Sequence, residues 1–385
     1  MRDLSRMLAS PGPVNWEIAR EIAKAAANAD PDGGEASGEM PVDVKSAIRL
    51  EELVRVAQTH VAGLTGLAEV GALKVQTVTR SEWAAMTLAG LQPVIEVLAA
   101  KLARGDRPGT FDPSLLAGNP LETLSQNPEM LAGMLNSLAP LLFGMQAGML
   151  VGSLAQTTLG QHDLPLPLAG EPRLAFVMAN IDQFATDWEV EQLDIYLALA
   201  MREVVRCAPR SVSWVREHLI NLSSRYVSGY EVQSVAIEEK LEGLLPDDLD
   251  MTAFDPSVLL DSMHTAAQDP ILLELQRFGC ILEGYADAIV VELSNTLAPG
   301  NSRVDEALRR HRVERGRSNE FVEKMLGLKL ERDHYESGAT FCAGVLERAG
   351  IDGLNRLWIS ESMLPTANEL AAPGLWLARI DLDLS

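Results

Sequence analysis

The stretch DIYLALAMREVVRCAPRSVSWVREHL, residues 194–219, combines a helix-forming pattern with ionisable side chains at close spacing. Arg202 and Arg206 are four residues apart, so on an α-helix both side chains project from one face. Glu203 follows Arg202 directly and is rotated from it by about 100° around the helix axis. The stretch therefore predicts a helix that brings two guanidinium groups and a carboxylate close together.

The same spacing occurs in the motif H-E-x-x-H, in which two histidines hold zinc and the glutamate is the general base. In this chain the five letters are R-E-V-V-R, residues 202–206. A second segment, RFGCILEGYADAIVVEL at 277–293, places Glu283 and Asp287 four residues apart on a predicted helix. Each of these helices therefore offers charged side chains on one face.

These residues resemble the zincin-like metallopeptidase family, which is common in actinobacteria and whose members are often named hydrolases or linked to deazaflavin-cofactor biosynthesis. The likeness extends over nearly the whole chain, in segments whose order and spacing matter more than any one alone: GPVNW at 12–16, FGMQAG at 143–148, HDLPLP at 162–167, SWVREHL at 213–219, LEGYAD at 282–287 and WLARI at 376–380. It implies a mainly α, zincin-like fold with a small β element and an added helical N-terminal region.

Carried over residue by residue, the resemblance gives Glu203 the general-base position and Glu283 the position of the third zinc ligand. The two histidine positions fall on Arg202 and Arg206, and many relatives read E-G-H-A where this chain has Tyr285. A guanidinium group stays protonated and offers no lone pair, so arginine cannot bind zinc. We therefore expect no metal cofactor. Our hypothesis is that the arginines replace the charge of the metal and pair with the carboxylates.

The preferred function is that of a catalytically inactive family member that binds or scaffolds an unidentified peptide or protein. Its former active-site cleft would accept an anionic group such as a peptide C-terminal carboxylate. The residues proposed to line this cleft are Arg202, Arg206, Glu283, Tyr285, Asp287 and His218. A plainer interpretation is an ordinary amphipathic helix over 194–207 whose arginines face solvent.

Two other functions stay open. One is a functional hydrolase in which Glu203 acts as general base and metal, zinc for instance, is held by non-standard ligands such as Glu283 and His218. The other is a structural protein that forms a homo-oligomer through the glycine face at 144–152. No two of the six histidines lie three to five residues apart, so no local histidine pair predicts a metal site.

Composition limits the partners. The net charge is −22, from 54 acidic and 32 basic residues, and such a surface repels phosphate backbones and anionic lipid. We therefore expect no nucleic-acid partner, and the basic run RRHRVERGR at 309–317 is interrupted by a glutamate. The three cysteines, Cys207, Cys280 and Cys342, are widely spaced, which favours a reducing, cytoplasmic location.

The chain reads as mostly helical. LKVQTVTR at 73–80 and LAFVMAN at 174–180 are the two predicted strands, and Ser81 is the predicted cap of the helix that follows the first. Residues 130–162 contain no charged side chain and carry glycines at the close-packing spacing GxxxG. We interpret them as a buried central helix and expect no membrane insertion.

A domain boundary near residue 165 would separate a helical N-terminal region, 1–165, from a zincin-like helical region, 166–385, that carries the site. One fused domain, 1–385, is an equally tenable arrangement.

Overall fold

A computed structural model describes residues 12–29, 39, 41–103, 128–231, 260–261, 263–298, 302–313 and 317–383. The predicted mainly α fold is confirmed. The sequence also predicts a helix at 229–243, and the part of it beyond Glu231 lies outside the described residues. The helices are α1 Trp16–Ala27, α2 Val44–Thr65, α3 Arg80–Ala103, α4 Pro128–Ala155, α5 Met178–Asp187, α6 Gln192–Ser211, α7 Ser213–Ser228, α8 Asp269–Leu297, α9 Ser302–Val313, α10 Arg317–Met325, α11 Arg332–Asn355, α12 Ala367–Ala371 and α13 Pro373–Asp383. Short 3-10 helices occupy Ala68–Ala72, Arg356–Trp358 and Glu361–Met363.

The sheet is small and positions the site. Strands β1, Lys74–Val78, and β2, Arg173–Val177, pair in parallel with Lys74 opposite Arg173, which confirms a strand in both predicted segments. The prediction is wrong for 178–180, which begin α5. Residues 159–161 run antiparallel to β2: the Gln161 amide donates to the Ala175 carbonyl at 2.8 Å. The β1–β2 pair joins the two sides of residue 165, and the boundary there stays a prediction.

The glycine face of α4 packs inside the chain. A Cβ atom added at Gly144 or Gly148 would collide with backbone carbonyl oxygens of the α1 region, those of Asn15 and Ala19. A Cβ at Gly152 would lie 2.5 Å from the Cβ of Ala26. The glycines therefore let α1 and α4 approach closely, and this surface is an internal helix contact.

A different helix passes the length and composition test for a membrane span. Within the described residues, Arg80–Leu102 has a window of mean hydropathy 1.4, and half of that window is buried inside the fold. Core helices show the same pattern, so the finding is weak support for a span.

The predicted cap of α3 is wrong by two residues. Thr79 is the cap: its hydroxyl accepts from the Glu82 amide at 3.2 Å, and the Glu82 carboxylate accepts from the Thr79 amide at 2.8 Å. Ser81 already lies inside the helix, where its hydroxyl accepts from the Asn28 side chain. The T-x-x-E pattern at 79–82 is a capping box, and it was present in the sequence.

Candidate functional site

Helix α6 runs through the core, and this places its charged residues away from water. Nearly every residue from 195 to 210 is buried, including Arg206, which is 8 % exposed. The interpretation of α6 as a surface helix with solvent-facing arginines is therefore wrong for Arg206. Arg202 is half-buried, nearer the edge of the same face.

Glu203 is held against the segment that pairs with β2. Its carboxylate accepts a 2.8 Å hydrogen bond from the backbone amide of His162, and its side chain fills the space that a Cβ at Gly160 would need. Glu203 is 2 % exposed. Burial raises its pKa to about 8, against the smaller lowering effects of the His162 amide and the Arg206 charge. At neutral pH most of this carboxyl is therefore protonated.

His162 is the second buried ionisable group here. Its Nε2 lies 3.1 Å from the carbonyl oxygen of Arg173. Burial and the positive charge of Arg210 lower the pKa of His162 to about 3. The ring is therefore neutral at physiological pH, and its contact with a carbonyl requires the proton on Nε2.

Glu283 is the meeting point of two arginines. Its Oε2 lies 3.5 Å from Nη2 of Arg206 and is also bound by Nη2 of Arg312, which comes from α9. The Arg312 guanidinium stacks over the ring of Tyr335, with 4.6 Å from Cζ to the ring centroid. Glu283 is only 4 % exposed, so its charge is balanced by guanidinium groups rather than by water.

Helix α9 also neutralises the other arginine of the motif. Arg202 binds Asp305 through a 3.0 Å contact between Nη2 and Oδ1. Asp287 is exposed and contributes its negative charge to both Arg202 and Arg312. The three helices α6, α8 and α9 thus meet in one cluster of opposite charges, which we call the arginine–carboxylate cluster: Arg202, Arg206, Glu283, Asp305 and Arg312.

Two predicted site residues have their contacts elsewhere. The His218 ring lies 3.4 Å from Glu361 and packs edge-on against Phe278 at 4.9 Å between ring centres. Tyr285 is fully buried, donates to the Asn355 side chain at 2.8 Å, and no described contact joins it to the cluster. Their predicted place in a binding cleft stays a prediction.

Sequence reasoning missed several residues of this region. Arg312 lies in the basic run at 309–317, which was interpreted only as a weak nucleic-acid signal. His162 begins HDLPLP, a segment that carried the family resemblance but received no role. Arg210 lies four residues after Arg206, and this spacing predicts that both side chains share one helix face. It is the missed residue that the sequence could have identified.

The donor set does not fit zinc. Arg202 and Arg206, predicted to occupy the histidine positions, offer a metal no lone pair. Glu283, the predicted third ligand, is already bound by Arg206 and Arg312. Within the described ranges, moreover, no group of three or more His, Cys, Asp or Glu side chains is placed to hold a metal ion.

Comparison with known proteins gives the class. A family model described as zincin-like metallopeptidase matches residues 14–377. This chain belongs to the zincin-like metallopeptidase family. Its fold is similar to the crystal structure of "a putative hydrolase with a novel fold" from Chloroflexus aurantiacus, with TM-score 0.60 and 21 % identity over 96 % of this chain and 99 % of that chain. No curated protein matches this chain.

The burial of Glu203 predicts an unusual dependence of stability on pH. Its pKa is about 8 in the folded chain against 4.5 as the ordinary value, so the folded state holds the extra proton and stability falls as pH rises between them. His162, with a pKa lowered from 6.5 to about 3, acts in the opposite sense at lower pH only. Between pH 6.5 and 8 we expect a loss of roughly 1.5 kcal/mol in the free energy of unfolding.

Urea unfolding at several pH values in that window checks this. Glu203→Gln should flatten the slope, because the amide is neutral and its oxygen can still accept from His162. Glu292→Gln, an exposed carboxylate on α8, is the matched control and should keep the slope. Identical slopes for wild type and Glu203→Gln would show that Glu203 is ionised at neutral pH.

Proposed function

We propose that this chain is a catalytically inactive member of its family that acts by binding, with the arginine–carboxylate cluster standing where relatives hold zinc. The observation that carries the proposal is the pairing of Glu283 with both Arg206 and Arg312. Removing a metal from a pocket of carboxylates would leave negative charges that repel each other. The arginine side chains supply positive charge at that place as part of the chain itself. Unlike a metal ion, they do not activate a water molecule.

The state of Glu203 supports the same proposal. A general base must be ionised before it can take a proton from water. With a pKa of about 8, Glu203 holds its proton at neutral pH. The arginine–carboxylate cluster and Glu203 together fill the interior of a zincin-like site. The site would then have neither histidine ligands for a metal nor an ionised carboxylate to act as general base.

Binding by Arg202 and Arg206 themselves receives little support from these contacts. Arg202 is engaged with Asp305 and Arg206 with Glu283. An external anion would have to compete with carboxylates that the fold already holds in place. The binding role therefore needs a cationic group without such an internal partner.

Restoring the histidines should restore metal binding. We expect the native chain, purified without a tag, to contain no stoichiometric zinc by inductively coupled plasma mass spectrometry. The triple variant Arg202→His/Arg206→His/Arg312→Gln should take up about one zinc per chain, the number for a single H-E-x-x-H site. The third change is needed because Arg312 otherwise keeps Glu283 occupied.

The matched control is Arg49→His/Arg55→His, which adds two histidines at exposed positions of α2 that are six residues apart and so face different directions. It should take up no zinc. A triple variant that folds and stays metal-free would remove the idea that the cluster occupies a former zinc site. Stoichiometric metal in the native chain would instead favour the hydrolase.

The second candidate is that hydrolase, and one observation favours it. A fully buried carboxyl with a pKa near 8 is typical of groups that exchange protons during catalysis. Loss of peptide or ester hydrolysis in Glu203→Gln, with folding intact, would support this candidate. Equal background hydrolysis in both proteins would support the binding role.

A further inference from the structure

A small pocket lies beside the segment that holds Glu203. Its volume is about 40 Å³, and by this measure one water needs roughly 10–15 Å³. It therefore has room for about three water-sized groups, which is enough for the carboxylate end of a larger ligand. Its walls include apolar side chains, Leu166, Leu168 and Leu219, and polar ones that are described next.

Arg210 lines this pocket, and one edge of its guanidinium has no hydrogen-bond partner among the described residues. The side chain is 6 % exposed. Its Nη1 donates to the Arg206 carbonyl at 2.6 Å, whereas Nε and Nη2 have no hydrogen-bond partner among the described residues. These two nitrogens form one edge of the planar group and present two parallel N–H bonds. That edge matches the two oxygens of a carboxylate.

The charge around the pocket is positive. Arg173 and Arg216 also line it, and Arg216 is fixed there by a 2.7 Å hydrogen bond to the Arg210 carbonyl. The lining residue His162 is neutral because its pKa is about 3. Glu171 is the acidic lining residue, and it is exposed at the rim. Three arginines line the pocket against one exposed glutamate, and although the charge of Glu283 also acts on Arg210, this lining favours an anionic ligand.

The pocket also offers an acceptor without a partner. Gln161 lines it, and its Nε2 donates to the Thr87 hydroxyl at 3.2 Å. Its Oε1 is buried and has no hydrogen-bond partner within the described part of the chain. A buried carbonyl oxygen left unpaired is costly, so a ligand with a donor at this point would be stabilised. Arg210 and Gln161, which carry this donor edge and this acceptor, both line the same cavity of about 40 Å³.

We propose that the pocket binds a carboxylate whose neighbouring atom carries an N–H or O–H group, with Arg210 holding the carboxylate and Gln161 accepting from the donor. An N-acylated amino acid and the C-terminus of a peptide share this chemistry. The proposal rests on the binding role proposed above. The carboxylate site uses Arg210 and not the arginine–carboxylate cluster. A triple variant that binds no zinc would therefore not contradict the carboxylate site, and a failure to bind carboxylates would not change the zinc result.

Calorimetric titration of the whole chain tests the site, at low ionic strength because chloride competes for arginine. The probes are N-acetyl-L-leucine, the tripeptide Gly-Gly-Leu and, as the uncharged match, N-acetyl-L-leucinamide. We expect saturable binding of one or both carboxylates and none of the amide. Tighter binding of the tripeptide would identify the C-terminus of a peptide chain as the natural carboxylate ligand. Equal or tighter binding of N-acetyl-L-leucine would identify a free small molecule.

Three variants locate the site. Arg210→Met removes the donor edge with little loss of volume and should weaken binding at least about tenfold, as expected for a lost bidentate pair. Arg216→Gln, which is partly exposed and tolerant of change, should weaken it several-fold. Arg225→Gln, on the same helix but outside the pocket, should leave it unchanged.

Several results would overturn the proposal. One is full affinity in Arg210→Met, provided that its circular dichroism matches the wild type. Another is the same affinity for the amide as for the acid. A third is inorganic phosphate binding as tightly as either carboxylate, which would indicate a general anion site. The last is the absence of any binding, which would indicate that only water forms hydrogen bonds with the unpartnered atoms of Arg210 and Gln161.

Discussion

Glu283→Leu should lower the free energy of unfolding by about 3–5 kcal/mol, the usual cost of removing one partner from a buried ion pair. The change leaves Arg206 and Arg312 facing each other without the carboxylate that holds both. Arg206 is almost fully buried, so water cannot replace the lost partner cheaply. The leucine roughly keeps the volume, which makes the loss electrostatic rather than a cavity effect.

Urea unfolding monitored by circular dichroism measures this loss. Asp287→Asn, one turn further along α8 and exposed, is the matched control and should stay within about 0.5 kcal/mol of the wild type. The triple change Glu283→Leu/Arg206→Met/Arg312→Met should recover part of the stability, because Arg206 and Arg312 no longer face each other without a carboxylate, whereas the buried Arg210 still loses the charge of Glu283. A single variant as stable as the control would mean that the three groups are independently solvated.

Gly284→Ala and Gly338→Ala should each destabilise the protein by about 3 kcal/mol or more, because both glycines lie where α8 and α11 touch. A Cβ at Gly284 would collide with the backbone of Gly338, and a Cβ at Gly338 with the carbonyl oxygen of Cys280. Backbone atoms cannot rotate away as a side chain can. The helices would have to separate, and the buried contacts between them would be lost.

Thermal and urea unfolding of the alanine variants give the measurement. Gly279→Ala is the matched control on α8, since its Cβ would meet only the side chain of Leu330, at 3.3 Å. That side chain can shift, and alanine is the better helix former by about 1 kcal/mol. We expect the control to be neutral or slightly stabilised. A small effect at Gly284 would contradict the close approach of the two helices.

Much of the fold could be predicted because its signals are local. Both strands follow from short β-branched runs, and α6 and α8 follow from apolar positions at helical spacing. The glycines of α4 predicted a close helix contact, although the sequence could not say with which partner. The cap of α3 was misplaced because two candidate residues lie close together, and only the hydrogen bonds distinguish Thr79 from Ser81.

The site was predictable only in part, for a physical reason. Spacing on one helix predicts which residues share a face, and this brought Arg202, Glu203 and Arg206 together. It says nothing of which distant segment packs against that face. Arg202 meets Asp305, 103 residues further along the chain, and Glu203 meets the backbone of His162.

By itself the sequence determined what these side chains can do. Arginine has no lone pair in any fold, so the sequence alone predicts that Arg202 and Arg206 cannot bind zinc. Tertiary structure decided which charges are neutralised and which are left over. Glu283 acquires two arginines, while one edge of the Arg210 guanidinium has no partner in the described part of the chain. Such pairings depend on how whole helices pack, through many weak contacts between distant residues that no local pattern records.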